Sequence, residues 1–245
     1  MKKKRLDNLI VDRKIINSRS KAQAMIMAGQ VFVNKKKITK SGMSFENDVL
    51  IKISNLHPEW VSRGAMKLLE VFNKIEIDVN NKICLDIGSS TGGFSQVLLK
   101  NKAKKIFAVD VGKNQLHESL RKEKKIISIE SCNARYLTKN IISDLVDILV
   151  CDVSFISLKK VILPNLKFLK NNSFIIALIK PQFEVNKKYL KKGIVKDDDV
   201  HIQICNEIKN WFILVCKLNV LKILESPIKG PKGNKEFFIV AKYYK

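Results

Sequence analysis

Between Ile83 and Lys242 short apolar runs recur at intervals filled by helical stretches, and that alternation leaves few folds open. The runs are Ile83–Ile87, Ile106–Val111, Ile126–Glu130, Ile148–Asp152, Phe174–Ile179, Leu221–Glu225 and Phe237–Lys242. Helical patterns lie between most of them, over Phe94–Lys102, Gln115–Lys122, Leu158–Leu169 and His201–Leu218. Strands that are apolar along their whole length are buried on both faces, and strand–helix alternation implies a parallel sheet with helices on either side. The last two runs have no helix between them, so the terminal strand is expected to insert antiparallel. The expected class is α/β with a seven-stranded sheet.

The segment before it has a different rhythm. Leu6, Leu9 and Ile10 form one helical stripe. Ser18 stands as N-cap of a second helix, Arg19 to Ala28, with Ala22, Met25 and Ile26 on one face and Gly29 as its stop. Alternating Val31 and Val33, a polar turn Asn34–Lys37 and a short strand Val49–Ile53 follow. For a chain of 245 residues, this divides into a small α+β domain at 1–56, a linker at 57–62 and the α/β domain at 63–245.

Charge points to the partner. There are 46 Lys+Arg against 23 Asp+Glu, a formal net charge of +23. Residues 1–60 carry 13 basic and 5 acidic side chains, the densest excess in the chain. Such a surface suits a polyanion, either nucleic acid or an anionic membrane. No apolar run nears the ~18 residues of a membrane span, and no apolar stretch follows Lys2–Arg5 as a signal peptide requires. Cys84, Cys132, Cys151, Cys205 and Cys216 sit mostly in apolar runs without a CxxC pair. They read as reduced core residues of a cytoplasmic protein, and no metal site is expected.

The turn after the first strand, Asp86-Ile-Gly-Ser-Ser-Thr-Gly-Gly-Phe94, opens a helix. In open α/β sheets ligands bind beyond the carboxyl ends of the strands, and glycines there let backbone approach a ligand. A dinucleotide is one reading. The spacing DxGxSxGG lacks GxGxxG, however, and begins with an acid that suits the cationic methionyl part of S-adenosylmethionine better than a pyrophosphate. Asp110 ends the second strand, where a carboxylate can accept from ribose hydroxyls. Asn133 follows the third, placed to read an adenine edge. The expected cofactor contacts are Asp86, Gly88, Ser89, Ser90, Gly92, Gly93, Phe94, Asp110, Val111, Asn133 and Asp152.

Four ionisable residues stand at positions such a sheet brings together. Lys67 precedes the first strand, Asp152 ends the fourth, Lys180 ends the fifth and Glu236 starts the last. A lysine ending an apolar strand is costly to leave unpaired, so carboxylate neighbours are expected.

The motifs SRGAMKL, LDIGSSTGGFS, AVDVG, CDVSFISL, IKPQFE, KGIVKD and SPIKGPKGNKEF resemble the TlyA family, a branch of the FtsJ-like RNA ribose methyltransferases. RLDNLI and NSRSKAQAMIMAGQVFVN resemble the alpha-L RNA-binding motif of a ribosomal protein, tyrosyl-tRNA synthetases and pseudouridine synthases. The resemblance implies a Rossmann-like methyltransferase sheet, S-adenosylmethionine as cofactor and cytidine 2′-hydroxyls of ribosomal RNA, free or in subunits, as substrate. Lys67, Asp152, Lys180 and Glu236 match the family's catalytic tetrad. It implies that Asp152 orients Lys180 and that Lys67 and Glu236 align the ribose, leaving open whether Lys180 is the base or an orienting donor. Arg5, Arg19, Lys21, Lys35, Lys36 and Lys37 are the expected phosphate contacts. Ser95-Gln96 stands where relatives often carry a hydroxyl residue followed by Asp, leaving this helix start less acidic.

Three rivals remain. A membrane-active protein lacks a spanning segment here, and a non-catalytic assembly factor would not need the tetrad. A base-directed methyltransferase would carry an Asn/Asp-Pro-Pro-aromatic signature where Asp152-Val-Ser-Phe stands.

Overall fold

The computed structural model describes residues 3–16, 18–27, 29–53 and 60–244, with Lys21, Lys187 and Pro231 described by their backbone alone. The chain divides into two compact units, Met1–Pro58 and Glu59–Lys245. Residues 57–59 of the expected linker at 57–62, and the Ala28 end of the second helix, lie outside the described residues.

In the first unit β1 (Lys4–Arg5) leads into α1 (Leu6–Asp12) and α2 (Arg19–Met27). Then come β2 (Val31–Val33), β3 (Lys36–Ile38), β4 (Ser44–Phe45) and β5 (Ile51–Ile53). β3, β2 and β5 form one small sheet, and β1 pairs with β4. Leu6, Ile10, Ala22, Ile26, Val31, Val33 and Ile38 make its core. Gly29 ends α2 in the left-handed region at φ +69°, with Gln30 N–H reaching back to Met25 O at 3.0 Å. The polar turn is shorter than expected. Asn34 and Lys35, both at positive φ, make a two-residue hairpin turn, and Lys36 and Lys37 already pair with β2.

The second unit begins with α3 (Ala65–Lys74), a helix the strand–helix rhythm had not indicated. It continues β6 (Ile83–Ile87), α4 (Gly93–Lys100), β7 (Lys105–Val109), α5 (Glu118–Arg121), β8 (Ile126–Ile129) and β9 (Val146–Cys151). The remainder is α6 (Leu158–Asn165), β10 (Leu169–Ile179), α7 (Pro181–Glu184), α8 (Asp198–Leu214), β11 (Asn219–Glu225) and β12 (Phe237–Tyr243). Among the described residues the strands form one seven-stranded sheet in the order β11-β12-β10-β9-β6-β7-β8. β12 runs antiparallel to β10 and β11, as expected, and the other pairs are parallel. Strand order reverses between β6 and β9, which makes the carboxyl ends of those two strands the natural ligand crevice.

Two expected helices shrink, each for a local reason. Residues ahead of α5 are held in a loop because the Glu130 carboxylate takes the N–H groups of Asn114 and Leu116 at 2.7 and 2.9 Å. The stretch Leu158–Leu169 contains Pro164. It relaxes into a short 3-10 turn at Leu166–Phe168, and Leu169 already belongs to β10.

Alternate residues of each strand feed two cores. Leu85, Ile87, Leu149, Cys151, Ile175 and Ala177 face α6 and α8. Cys84, Ile106, Ala108, Ile148, Val150 and Ile176 face α3 and α4. The two-residue period puts Asp86 on the face that α4 covers.

Candidate active site

The turn after β6 is pressed against the end of β9. Gly88 sits at φ +80°, and a Cβ there would lie 2.8 Å from the Asp152 carbonyl oxygen, so no side chain fits. At the start of α4, a Cβ on Gly93 would lie 3.0 Å from Ala65 N, the first residue of α3. Glycine therefore lets α3, which carries Lys67, approach the turn.

Asp110 ties two turns together. Its Oδ2 accepts from Ser90 N at 2.8 Å and its Oδ1 from Gly112 N at 2.7 Å. Asp86 is fully buried and its Oδ2 accepts from Ser95 Oγ at 2.7 Å. Among the described residues its Oδ1 is buried with no hydrogen-bond partner. Burial in that apolar face, only partly offset by Ser95, pushes the carboxyl up to about 7. Asn133 gives its side-chain oxygen to Arg135, at 3.1 Å to the backbone N and 3.2 Å to Nε. What it can offer a base is therefore its amide NH₂.

A cleft of about 370 Å³ runs over Gly88, Ser90, Asp110, Val111 and Asn133 to Asp152, Ser154 and Phe155. Ser89 is buried under the turn. Phe94 points elsewhere, being 4% exposed and stacked on Phe238 at 6.2 Å in the α4 core.

The four ionisable residues form one continuous chain of contacts. Glu236 Oε2 accepts from Lys67 Nζ at 2.7 Å, Lys67 Nζ reaches Asp152 Oδ2 at 3.5 Å, and Lys180 Nζ meets Asp152 Oδ1 at 2.6 Å. Lys67, Lys180 and Glu236 are 6%, 7% and 1% exposed, so two buried ammonium groups are matched by two carboxylates. Burial pushes the Asp152 carboxyl up, but Lys180 and Lys67 outweigh it and hold the group below its ordinary value. Gly230 abuts Glu236 Oε1 so closely that a Cβ would displace it.

Several participants had no signal in the sequence. Ser154 Oγ accepts from Lys180 Nζ at 2.8 Å. Phe155 is 89% exposed at φ +63° and lies against Phe183 at 5.0 Å. Glu184 holds the far end of that loop, accepting from Ser157 Oγ at 2.7 Å and Leu158 N at 2.6 Å. Asn234 pins the loop before β12, accepting from Val195 N at 3.2 Å and donating to Gly193 O at 3.1 Å.

In the first unit Arg5 and Arg19 converge on buried Asp7, while Lys35, Lys36 and Lys37 are exposed. The Lys21 side chain lies outside the described residues.

Residues 60–243 match the FtsJ-like methyltransferase family and residues 4–45 the S4 domain. The chain is 42% identical to Hemolysin A of Brachyspira hyodysenteriae, over 95% of this chain and 97% of that one. It is 38% identical to the 23S rRNA (cytidine-2′-O)-methyltransferase TlyA of Campylobacter jejuni, over 94% of this chain and 96% of the relative. A solved structure from Streptococcus thermophilus, provisionally named a hemolysin, superposes with a TM-score of 0.79 at 33% identity, covering 100% of this chain and 90% of that one. Among the described residues no helix is long and apolar enough to cross a membrane. The chain belongs to the FtsJ-like methyltransferase family, in its TlyA branch, with an S4 domain at its N terminus.

Proposed function

We propose that the protein methylates a cytidine ribose 2′-hydroxyl of ribosomal RNA, with S-adenosylmethionine as donor. The observation that carries this reading is the Glu236–Lys67–Asp152–Lys180 chain, which ends beside the cleft at the point where strand order reverses. Mass spectrometry of ribosomal RNA from cells with and without the gene tests it. Loss of one ribose methyl is expected, and an unchanged profile contradicts it.

The residues present fit the cofactor. Gly88 leaves backbone bare for close approach, Asp110 presents a carboxylate already oriented by two N–H donors, and Asp86 has a buried oxygen without a hydrogen-bond partner among the described residues. Val111, Ser90 and Asn133 would line the adenosine end, and Asp86 would set the charge felt by the methionyl end. When bound, the sulfonium supplies an electrophilic methyl group.

The protein's own work is then to orient the hydroxyl and manage its proton. Lys180 is held by Asp152 on one side and Ser154 on the other, which fixes Nζ at the cleft. Asp152 stabilises Lys180 as an ammonium, which orients the hydroxyl oxygen by donating to it; Lys180 can take the hydroxyl's proton only after losing one of its own, and the carboxylate then favours that transfer. Glu236 holds Lys67, and Lys67 in turn meets Asp152, so the two back the carboxylate that orients Lys180. Phe155, exposed beside the cleft with Arg135 and Lys160 around the adjoining hollow, offers a face for a base and charges for its phosphates.

Asp86 makes cofactor binding pH-dependent. A carboxyl near 7 is partly protonated at neutral pH, and only its ionised form favours a cation. Affinity for S-adenosylmethionine is expected to rise from about pH 6 to about pH 8 and then level off, with proton release on the acid side seen by calorimetry. Asp86→Asn should flatten the profile relative to wild type; identical profiles for the two proteins contradict this role.

The S4 unit supplies RNA affinity through phosphates. Its binding should fall with salt at a log–log slope of about −0.7 per neutralised phosphate of a single strand. Deleting residues 1–56 should weaken RNA binding and leave cofactor binding near wild type. Equal RNA affinity of the truncated protein would assign the unit another role.

A further inference from the structure

An acidic residue in a phosphate-binding surface is ordinarily unfavourable, yet Asp7 sits at the centre of this one. It lies in the first turn of α1 and is completely buried. Its Oδ1 accepts from Arg5 Nε at 3.1 Å and from Asn8 N at 3.0 Å. Its Oδ2 accepts from Arg5 Nη2 at 3.0 Å, Arg19 Nε at 3.1 Å and Gln23 Nε2 at 2.6 Å. Hydrogen bonds from Arg5, Gln23 and Arg19 outweigh burial and hold the carboxyl far below its usual range, so it stays ionised.

The geometry of the two guanidinium groups is asymmetric in a useful way. Among the described residues Arg19 is anchored through Nε alone, which leaves both terminal nitrogens for another acceptor. Arg5 keeps Nη1. Their side chains are 54% and 46% exposed, whereas the carboxylate that anchors them is hidden from solvent. An unanchored arginine loses side-chain freedom when it grips a phosphate; one held at Nε has lost part of it beforehand. Two planar forks fixed side by side are suited to phosphate oxygens.

We propose that Asp7 is a positioning residue for RNA, a buried carboxylate that preorganises Arg5 and Arg19 as a paired phosphate clamp. This rests on the reading that the S4 unit binds RNA phosphates. It differs from an account based on net charge in sign. Removing an acid from a basic surface should tighten RNA binding by charge alone; removing this acid loosens it.

The test is filter binding of the full-length protein to a radiolabelled 23S ribosomal RNA transcript, with Asp7→Asn, Arg19→Lys and Arg19→Ala beside wild type. Losing the anchor of two side chains should weaken binding about tenfold in Asp7→Asn, with a salt dependence no steeper than wild type. Arg19→Lys keeps the charge but cannot both meet Asp7 through Nε and present a fork, so it should bind as weakly as Arg19→Ala. Calorimetric S-adenosylmethionine binding should be unchanged in all three. If Arg19→Ala weakens binding while Asp7→Asn binds as well as or better than wild type, the clamp is overturned and the RNA-binding reading stands. If Arg19→Ala, Arg5→Ala and deletion of residues 1–56 all bind as wild type, the RNA-binding reading itself falls. Should Asp7→Asn lose its helical circular dichroism signal, Arg19→Lys decides: binding equal to wild type overturns the clamp.

Discussion

Lys180→Ala should lose most methyl transfer while still binding S-adenosylmethionine and RNA. Lys180 is 7% exposed, held between Asp152 Oδ1 at 2.6 Å and Ser154 Oγ at 2.8 Å, and does not line the cofactor turn. General acid–base groups contribute ~10²–10⁴-fold, and truncation also removes a positioning contact, so the loss should be of that order or larger. Lys180→Arg should not restore it, because a guanidinium stays protonated and cannot take up a proton. Near-normal turnover of Lys180→Ala would exclude Lys180 from the chemistry, and near-normal turnover of Lys180→Arg would exclude it as the base.

Asp152→Ala should be damaging in two separable ways. Turnover should fall about as far as in Lys180→Ala, since the two act as a unit and the double variant should be little worse than either single one. Stability should fall too, because Lys180 is left as a buried ammonium with only Ser154 as partner, whereas Lys67 keeps Glu236 at 2.7 Å. Breaking a buried pair by removing one partner costs about 3–5 kcal/mol, and water entering the cleft should keep this case near the lower end. Adding Lys180→Ala to Asp152→Ala removes the stranded charge, so the double variant should be more stable than Asp152→Ala and equally inactive. Urea unfolding with a parallel activity assay measures both, and additive losses of stability would contradict the coupled chain.

Much of the architecture was legible because it rests on periodicity. Ile83–Ile87 is observed with the same ends. The antiparallel terminal strand followed from a missing helix, and Gly29 from the need for a left-handed stop. The tetrad was legible as ordered strand-end residues, and the structure brings all four into contact. What was hidden depends on side chains meeting across loops. Glu130 holding Asn114 and Leu116, Glu184 capping α6 and Asn234 bridging to Gly193 and Val195 have no period to betray them. α3 was missed because its start is set by the small residues Gly64 and Gly93 packing close, with no side-chain cap to mark it. Asp86 was expected as an acid at the strand end that suits a cation. The two-residue period of β6 turns it under α4, where it is buried and holds its proton more tightly.

The most direct test of the central claim is transfer of a tritiated methyl group from S-adenosylmethionine to ribosomal subunits or ribosomal RNA, followed by nuclease digestion to locate the label. The account predicts label on the ribose of a cytidine with wild-type protein and almost none with Lys180→Ala. Label on a base, or undiminished ribose label with Lys180→Ala, would contradict it.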